Sequence, residues 1–219
     1  TANIARTLRP STLELMDRTT IAAVEEFQPM ELDGDAAAMI FACSDAAGDG
    51  GRAEAAAIAR ICEEHGAELA VVSEDEAEGR MLMAARRLAY PALERLGTTL
   101  LDDVAVPIDR IPGLIGAVEE IGRRQALTIG TFGHGGDGNL HPTIVYDHGD
   151  PDQVSRARAA FREIVLAAIE LGGTASGEHG IGLLKRDLVE RELGPANELN
   201  RAIKRALDPD GLLNPGKGL

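Results

Sequence analysis

Apolar residues follow two kinds of pattern along this chain, and the patterns alternate. Helical spacing, with apolar residues every three or four positions, is clearest over residues 151–171, where Val154, Phe161 and Ile164 share one stripe. Short apolar runs bounded by polar residues or glycine are typical of buried strands, as in the run AAAMIFAC at residues 36–43. The chain is therefore predicted to mix strands with amphipathic helices.

Applied to the whole chain, these patterns predict a series of elements. Strands are predicted at residues 36–43, 68–72, 100–107, 126–132 and 139–146. Helices are predicted at residues 52–65, 74–96, 111–124, 151–171, 182–192 and 195–207, and Pro91 is expected to kink or split the second of them. Residues 1–20 are interpreted as a lead-in segment, and residues 20–27 fit a helix or a strand equally well.

Strand–helix–strand units of this length, with strands joined across a tight glycine turn, predict an α+β fold. Its simplest form is a ferredoxin-like antiparallel sheet in duplicate, with helices on one face and a helical segment at the C-terminus. Aromatic residues make up only 3% of the chain, so the core is expected to be aliphatic.

Charge and cysteine content narrow the classes of partner and compartment. The formal net charge of -14 argues against nucleic acid and anionic membranes, whose phosphates would be repelled. Cys43 and Cys62 have no metal-ligand spacing and suggest no disulfide framework, which favours a reducing compartment. With no signal peptide and no run long enough to span a bilayer, we expect a cytoplasmic protein, with peripheral association with a membrane as a further option.

Two glycine-rich clusters hold most of the residues that could carry chemistry. The first is TFGHGGDGNLHP at residues 131–142, and the second is SGEHGIG at residues 176–182. A glycine-rich turn between two strands would let His134 and His141 converge, and Glu178 would supply a third metal ligand. Three protein ligands with open positions are typical of a catalytic metal site, although two ordinary loop histidines are the alternative. Zn, Mn and Fe all suit this ligand set.

Other polar residues each have more than one possible role. His179 follows Glu178 and suits proton transfer near neutral pH, with a hydrogen-bonding role behind the metal as the alternative. Asp137 and Asn139 are expected to hold the turn through local backbone hydrogen bonds, and the alternative for Asp137 is a hydrogen bond to a ligating histidine. Arg86 and the adjacent arginine on the long helix are able to clamp a carboxylate, although most surface arginines have no such role.

Three motifs together resemble a known family. The runs GHGGDGNLHP and SGEHGIG, with the terminal LNPGK, resemble the C-terminal domain of FAD-linked oxidases. This group of vanillyl-alcohol-oxidase-type flavoproteins includes glycolate oxidase, D-lactate dehydrogenase and D-2-hydroxyglutarate dehydrogenase. The similarity covers nearly the whole chain, with the clusters in the expected order and at a suitable separation.

The resemblance implies a role for individual residues. It assigns the divalent metal to His134, His141 and Glu178, and the base acting on the substrate hydroxyl to His179. It places the substrate carboxylate at Arg86. Asn214, in the LNPGK run, is similar to a residue near the flavin or the active site.

Departures from the resemblance bear on the substrate. D-2-hydroxyglutarate dehydrogenases have Lys where this chain has Leu101 and Asn where it has Thr143, and the usual Trp is replaced by Met83. The first two changes weaken the case for a dicarboxylate. They favour a small monocarboxylic 2-hydroxy acid such as D-lactate or glycolate.

The resemblance also implies a division of labour. Residues 1–181 are expected to form the substrate- and metal-binding cap domain, and residues 182–219 a C-terminal helical segment and tail. Family members bind FAD on an N-terminal domain, and nothing in this chain resembles it. The chain opens at Thr1 without an initiator Met. It is therefore interpreted as a piece of a longer enzyme that is incomplete on its own.

The expected partners follow from this interpretation. They are a small 2-hydroxy acid, an FAD-binding domain in cis or trans, an electron acceptor and, as a further option, a second copy of the chain. Two alternatives stay open. One is a non-catalytic subunit that pairs with a separate flavoprotein, and the other is a stand-alone metal-dependent hydrolase.

Overall fold

A computed structural model describes residues 1–217 and places a six-stranded antiparallel sheet at the centre of the fold. The strands are β1 Thr12–Asp17, β2 Ala38–Cys43, β3 Thr98–Leu101, β4 Val104–Ala105, β5 Thr128–His134 and β6 Asn139–Tyr146. Their order is β2-β1-β5-β6-β3, and β4 also pairs with β6. The helices are α1 Ala2–Thr7, α2 Arg18–Phe27, α3 Asp49–Glu64, α4 Glu76–Leu96, α5 Ile111–Gln125, α6 Pro151–Glu170, α7 Val189–Leu193 and α8 Asn197–Leu207.

Helices cover both faces of the sheet. Ile144 and Val145 are neighbours on β6, so their side chains point to opposite faces. Ile144 packs with α5 and α6, whereas Val145 packs with α2 and α4. The predicted α+β class with an antiparallel sheet is confirmed, but the helices lie on two faces where the sequence predicts one. This central strand therefore contributes to two aliphatic cores.

The N-terminal region corrects one prediction and resolves another. Residues 12–17 are not a lead-in but the strand β1, which pairs with β2 and β5. Its apolar residues Leu13 and Leu15 are buried, while Glu14 between them is a polar residue of the sheet. Residues 18–27 are helical, and the Asp17 side chain caps this helix by accepting a hydrogen bond from the Thr20 backbone N–H at 2.8 Å.

Three further segments differ from the sequence predictions. Residues 68–72 form no strand, and Leu69 is 73% exposed, because the described chain gives this segment no neighbouring strand to pair with. The segment 100–107 is not one strand, since Asp102 and Asp103 separate β3 from β4. Within 182–192, the α-helix occupies only Val189 onwards.

The helix α4 matches the predicted helix at residues 74–96 closely. It runs continuously through Pro91, so this proline does not split it. Its first turn is capped by Asp75, whose side chain accepts hydrogen bonds from the backbone N–H groups of Ala77 and Glu78.

Within residues 1–217, no helix is both long enough and apolar enough to cross a membrane.

The turn between β5 and β6 has a geometry that requires glycine. Gly138 has a φ of 85°, and a Cβ placed there would lie 1.9 Å from the carbonyl oxygen of Val106. The turn thereby packs directly onto the end of β4. His134 and Asn139 face each other across the hairpin, and His141 faces Phe132.

The segment after residue 181 is tied to the main body of the protein. Leu188 is buried in the core between the sheet and the helices α5 and α6. Lys185 is also buried, and its ammonium group lies 2.7 Å from a carboxylate oxygen of Asp102. The division of the chain at residues 181 and 182 stays a prediction.

Candidate active site

Two imidazoles and one carboxylate meet near the turn that joins β5 and β6. His134 is the last residue of β5, His141 lies near the start of β6, and Glu178 lies in the loop after α6. Glu178 Oε1 is 3.4 Å from His134 Nε2 and 3.3 Å from His141 Nε2. The three ligand atoms all lie within 4.8 Å of one another. The structure thus brings together the three residues predicted to bind a metal.

The loop that carries Glu178 is held by a buried carboxylate. Asp103 is 2% exposed and accepts hydrogen bonds from the backbone N–H groups of Glu178 at 3.1 Å and His179 at 2.8 Å. It also accepts a hydrogen bond from Ser176 Oγ at 3.0 Å. Burial raises the pKa of Asp103, but these hydrogen bonds and Lys185 outweigh burial, and the net pKa is lowered. An ionised Asp103 therefore anchors the loop.

Lys185 fixes the position of Asp103 in turn. Its ammonium group forms an ion pair with Asp102 and donates a hydrogen bond to the backbone carbonyl of Asp103. The side chains of Lys185 and Asp102 are both at least 95% buried, so the charge of each is compensated by the charge of the other. This role for Asp102 and Asp103 is not evident in the sequence, where both residues lie within the predicted strand at residues 100–107.

His141 is buried and favours its neutral form. Burial, followed by the neighbouring His134, lowers the pKa of His141 to about 4. Its Nδ1 has no hydrogen-bond partner among the described residues, and a carboxylate oxygen of Asp103 lies 3.9 Å away. A neutral imidazole is the form that binds metals.

His134 is held by Glu14, a residue that no sequence motif marks. Glu14 Oε1 accepts a hydrogen bond from His134 Nδ1 at 2.7 Å. Burial lowers the pKa of His134, but the hydrogen bonds and charges of Glu14 and Glu178 outweigh it, so the net pKa is raised. The pattern of residues 1–20 indicates only a lead-in, so no signal in the sequence brings Glu14 to this site.

Arg86 reaches the same carboxylate from the other side. Its Nε and Nη2 atoms lie 2.8 Å and 2.7 Å from Glu14 Oε2. The guanidinium also lies over the ring of Phe132, 4.9 Å from the centroid. Arg86 is thus beside the His–His–Glu cluster, whereas the side chain of Arg87 donates a hydrogen bond to the Arg80 carbonyl.

His179 lies at the open side of the cluster. Its ring stacks on His141, with centroids 5.2 Å apart and planes 7° apart. Its side chain is 49% exposed, and its Nε2 is 3.7 Å from Glu178 Oε1. The ring is therefore close to the candidate metal ligands and open to a small molecule.

Two further predicted residues lie outside this cluster. The Asp137 side chain accepts a hydrogen bond from the Asn139 backbone N–H at 3.0 Å, as expected for a residue that holds the turn. Asn214 is exposed in the C-terminal tail with a φ of 47°. Within residues 1–217, no hydrogen bond joins the Asn214 side chain to the cluster.

Comparison with protein families gives a match over almost the whole chain. Residues 1–218 match the family described as FAD linked oxidases, C-terminal domain. The chain is 38% identical over 216 residues to the glycolate oxidase protein GlcD of Bacillus subtilis, covering 98% of this chain and 46% of that protein. It is 32% identical over 221 residues to D-lactate dehydrogenase of Anaerostipes hadrus, covering 96% of this chain and 46% of that protein.

Solved structures share the fold. The chain is similar to p-cresol methylhydroxylase with substrate bound, with a TM-score of 0.70 and 16% identity. That alignment covers 99% of this chain and 49% of the other. The chain therefore spans about half the length of the proteins that it matches.

Proposed function

The chain belongs to the family of C-terminal domains of FAD-linked oxidases, and from this premise we propose that it is the substrate- and metal-binding domain of a 2-hydroxy-acid dehydrogenase or oxidase. The observation that carries the proposal is the convergence of His134, His141 and Glu178 beside Arg86 and His179. In this proposal Arg86 binds the carboxylate of the acid and His179 acts on its hydroxyl group, while the other three residues hold the metal. The relatives named glycolate oxidase and D-lactate dehydrogenase indicate the substrate class.

The spacing of the three ligand atoms supports a divalent metal. An ion with tetrahedral ligands at about 2.1 Å separates neighbouring ligand atoms by about 3.4 Å. Glu178 Oε1 lies 3.4 Å and 3.3 Å from the two imidazole nitrogens, close to that separation. The set of two imidazoles and one carboxylate suits Zn, Mn or Fe.

In the proposed reaction, the chain's own residues orient the acid and move one proton. Arg86 binds the carboxylate of the acid, which orients its α-carbon. His179 takes the proton of the hydroxyl group, so that a 2-keto acid forms as the C–H bond breaks. When bound, the metal would supply Lewis-acid polarisation of the hydroxyl group, and FAD would supply the hydride acceptor. Glu178, the buried His141 and the partly exposed His134 would hold the metal.

The sheet near the site favours a small substrate. Leu101 and Thr143 face each other in the β3–β6 pair. Thr143 is fully buried and its hydroxyl donates a hydrogen bond to the carbonyl of His141 at 3.2 Å. Neither residue offers a charge to a second carboxylate. We therefore propose a monocarboxylic acid such as D-lactate or glycolate in preference to 2-hydroxyglutarate.

An exposed apolar surface supports an FAD-binding half as the partner. The helix α8 exposes Leu199, Ile203 and Leu207 at four-residue spacing, which places them on one face. Leu183 and Leu184, which follow the Glu178 loop, are also exposed at 65% and 57%. Apolar surfaces of this kind mark interaction sites. We propose that the FAD-binding half, in cis or in trans, covers this surface and presents the flavin to the site.

The complete enzyme, in which this chain is joined to its FAD-binding half, provides the test of function. We expect anaerobic D-lactate or glycolate to reduce the flavin, because hydride transfer to FAD is the proposed step. Removing the metal with a chelator should slow flavin reduction at least about tenfold, since the metal supplies part of the charge stabilisation. Adding Zn or Mn back should restore the rate.

Two outcomes would contradict this function. A rate of flavin reduction that the chelator leaves unchanged would exclude the proposed role of the metal. Hydrolysis of ester substrates by the isolated chain, with metal and without flavin, would favour the metal-dependent hydrolase. D-2-hydroxyglutarate serves as the comparison substrate and should give a lower kcat/KM than D-lactate or glycolate.

Metal binding is expected to weaken as the pH falls. Burial opposes protonation of His134, but Glu14 and Glu178 outweigh it and raise the pKa, so protons compete with the metal at His134. His141, with a pKa of about 4, stays neutral over the same range. Below the pKa of His134, affinity should drop about tenfold per pH unit. Calorimetric titration with Co(II) at several pH values checks this, and an affinity that stays constant would contradict it.

A further inference from the structure

Glu14 contacts two residues of the site at once, although it lies on β1, far from them in sequence. Its side chain is 15% exposed. Oε1 accepts a hydrogen bond from His134 Nδ1 at 2.7 Å. Oε2 accepts a hydrogen bond from Arg86 Nε at 2.8 Å and forms an ion pair with Nη2 at 2.7 Å. Glu14 and His134 also face each other directly in the β1–β5 pair, so the backbone holds the two side chains together.

We propose that Glu14 is a positioning residue that fixes the imidazole of His134 and the guanidinium of Arg86 relative to each other. This inference rests on the proposed function, in which His134 binds the metal and Arg86 binds the carboxylate of the acid. Glu14 itself touches neither. It acts through the two residues that it holds.

The chemistry of the carboxylate determines how Glu14 acts on His134. An ionised carboxylate only accepts hydrogen bonds, so the hydrogen of the neutral imidazole resides on Nδ1. The lone pair then resides on Nε2, which lies 3.4 Å from Glu178 Oε1. A carboxylate behind a ligating imidazole fixes the tautomer and the ring orientation, and increases the basicity of the ligand.

Arg86 gains a defined position from the same contact. Its Nε and Nη2 atoms are bound by Glu14, and Phe132 lies under the guanidinium plane. The negative charge of Glu14 also offsets the positive charge of Arg86 beside the metal ligands. Without Glu14, the imidazole of His134 is free to turn about its side-chain bonds. The uncompensated charge of Arg86 then also disfavours binding of the metal ion.

His134 and His141 differ in the carboxylate behind them: Glu14 is hydrogen-bonded to His134 Nδ1, whereas Asp103 is not hydrogen-bonded to His141 Nδ1. Asp103 lies behind His141 in a similar way, but at 3.9 Å it is beyond hydrogen-bond distance from Nδ1. Asp103 is also fully engaged with the backbone of the Glu178 loop. Replacing Asp103 would therefore disturb the loop, whereas replacing Glu14 isolates the contact to His134 and Arg86.

The test compares Glu14→Gln with the matched control Glu26→Gln, which changes an exposed glutamate of α2. Titration of the 219-residue chain with Co(II) should show a 10- to 100-fold loss of affinity in Glu14→Gln and none in Glu26→Gln. The visible absorption spectrum of bound Co(II), which reports the ligand geometry, should change only in Glu14→Gln. A purely structural role for Glu14 would lower the melting temperature without changing that spectrum.

A second measurement does not depend on the folding of the variant. In ¹⁵N NMR spectra of the metal-free wild-type chain near pH 8, His134 should carry its hydrogen on Nδ1. A hydrogen on Nε2 would overturn the inference.

The outcomes separate this inference from the proposed function. A wild-type chain that binds no Co(II) overturns the metal site and the role of Glu14 with it. Wild-type binding that is lost in His134→Ala but unchanged in Glu14→Gln overturns the role of Glu14 alone. Weaker binding in Glu14→Gln, with an altered Co(II) spectrum and the expected tautomer, supports it.

Discussion

Replacing Glu178 with alanine is expected to lower the affinity of the chain for Zn(II) or Co(II) by more than about 100-fold, above the range for residues that only support a ligand. Glu178 Oε1 is close to both imidazole nitrogens, at 3.4 Å and 3.3 Å. It also supplies the negative charge of the His134–His141–Glu178 set. Isothermal titration calorimetry of the variant and the wild-type chain measures the loss.

The control for this substitution is Glu170→Ala, at an exposed position at the end of α6. Because the Glu178 side chain is 51% exposed, its loss should leave the melting temperature nearly unchanged. Equal Co(II) affinity in Glu178→Ala and wild type would show that this carboxylate is not a ligand. Loss of affinity in Glu170→Ala as well would point to a non-specific effect of charge.

Replacing His179 with alanine in the complete enzyme is expected to lower kcat about 10²- to 10⁴-fold, the range for loss of a general base. The ring stacks on His141 and is half exposed, so it can meet a substrate hydroxyl without being a buried part of the core. Steady-state kinetics with D-lactate or glycolate measures the change. Metal affinity should stay within a few-fold of wild type, because His179 is not one of the three proposed ligands.

His148→Ala, at an exposed histidine in the turn after β6, is the matched control and should leave kcat unchanged. A His179→Ala enzyme with wild-type kcat would exclude the ring as the base. If metal affinity fell together with kcat, His179 would act as a metal ligand. Asp103, His141 and His179 are also close enough to one another to hold a metal ion.

Much of the fold could be predicted because local patterns and tertiary contacts agree. The helices α4, α5 and α6 and the strands β5 and β6 show clear periodicity and pack as that periodicity indicates. The strand β1 could not be found in this way, since its residues are stabilised by pairing with two strands that are distant in sequence. The strand prediction at residues 68–72 is wrong because this apolar run has strand propensity but no neighbouring strand to pair with within the described chain.

The candidate site was predictable only where its residues are marked by motifs. The glycine-rich runs identify His134, His141, Glu178 and His179, and the structure brings these four together. The roles assigned to them stay predictions. Glu14, Asp103 and Lys185 carry no local signal, because each acquires its partners through strand pairing or burial. A sequence pattern shows which residues are unusual, whereas the carboxylates that hold them are seen only in three dimensions.

The central claim is that imidazoles 134 and 141 and carboxylate 178 hold one divalent metal ion. Crystals of the chain grown with Zn(II) and measured above and below the zinc absorption edge test it most directly. We expect a single strong anomalous peak about 2.0 to 2.2 Å from His134 Nε2, His141 Nε2 and a Glu178 carboxylate oxygen. Strong zinc peaks elsewhere on the surface, with none between these three residues, would contradict it.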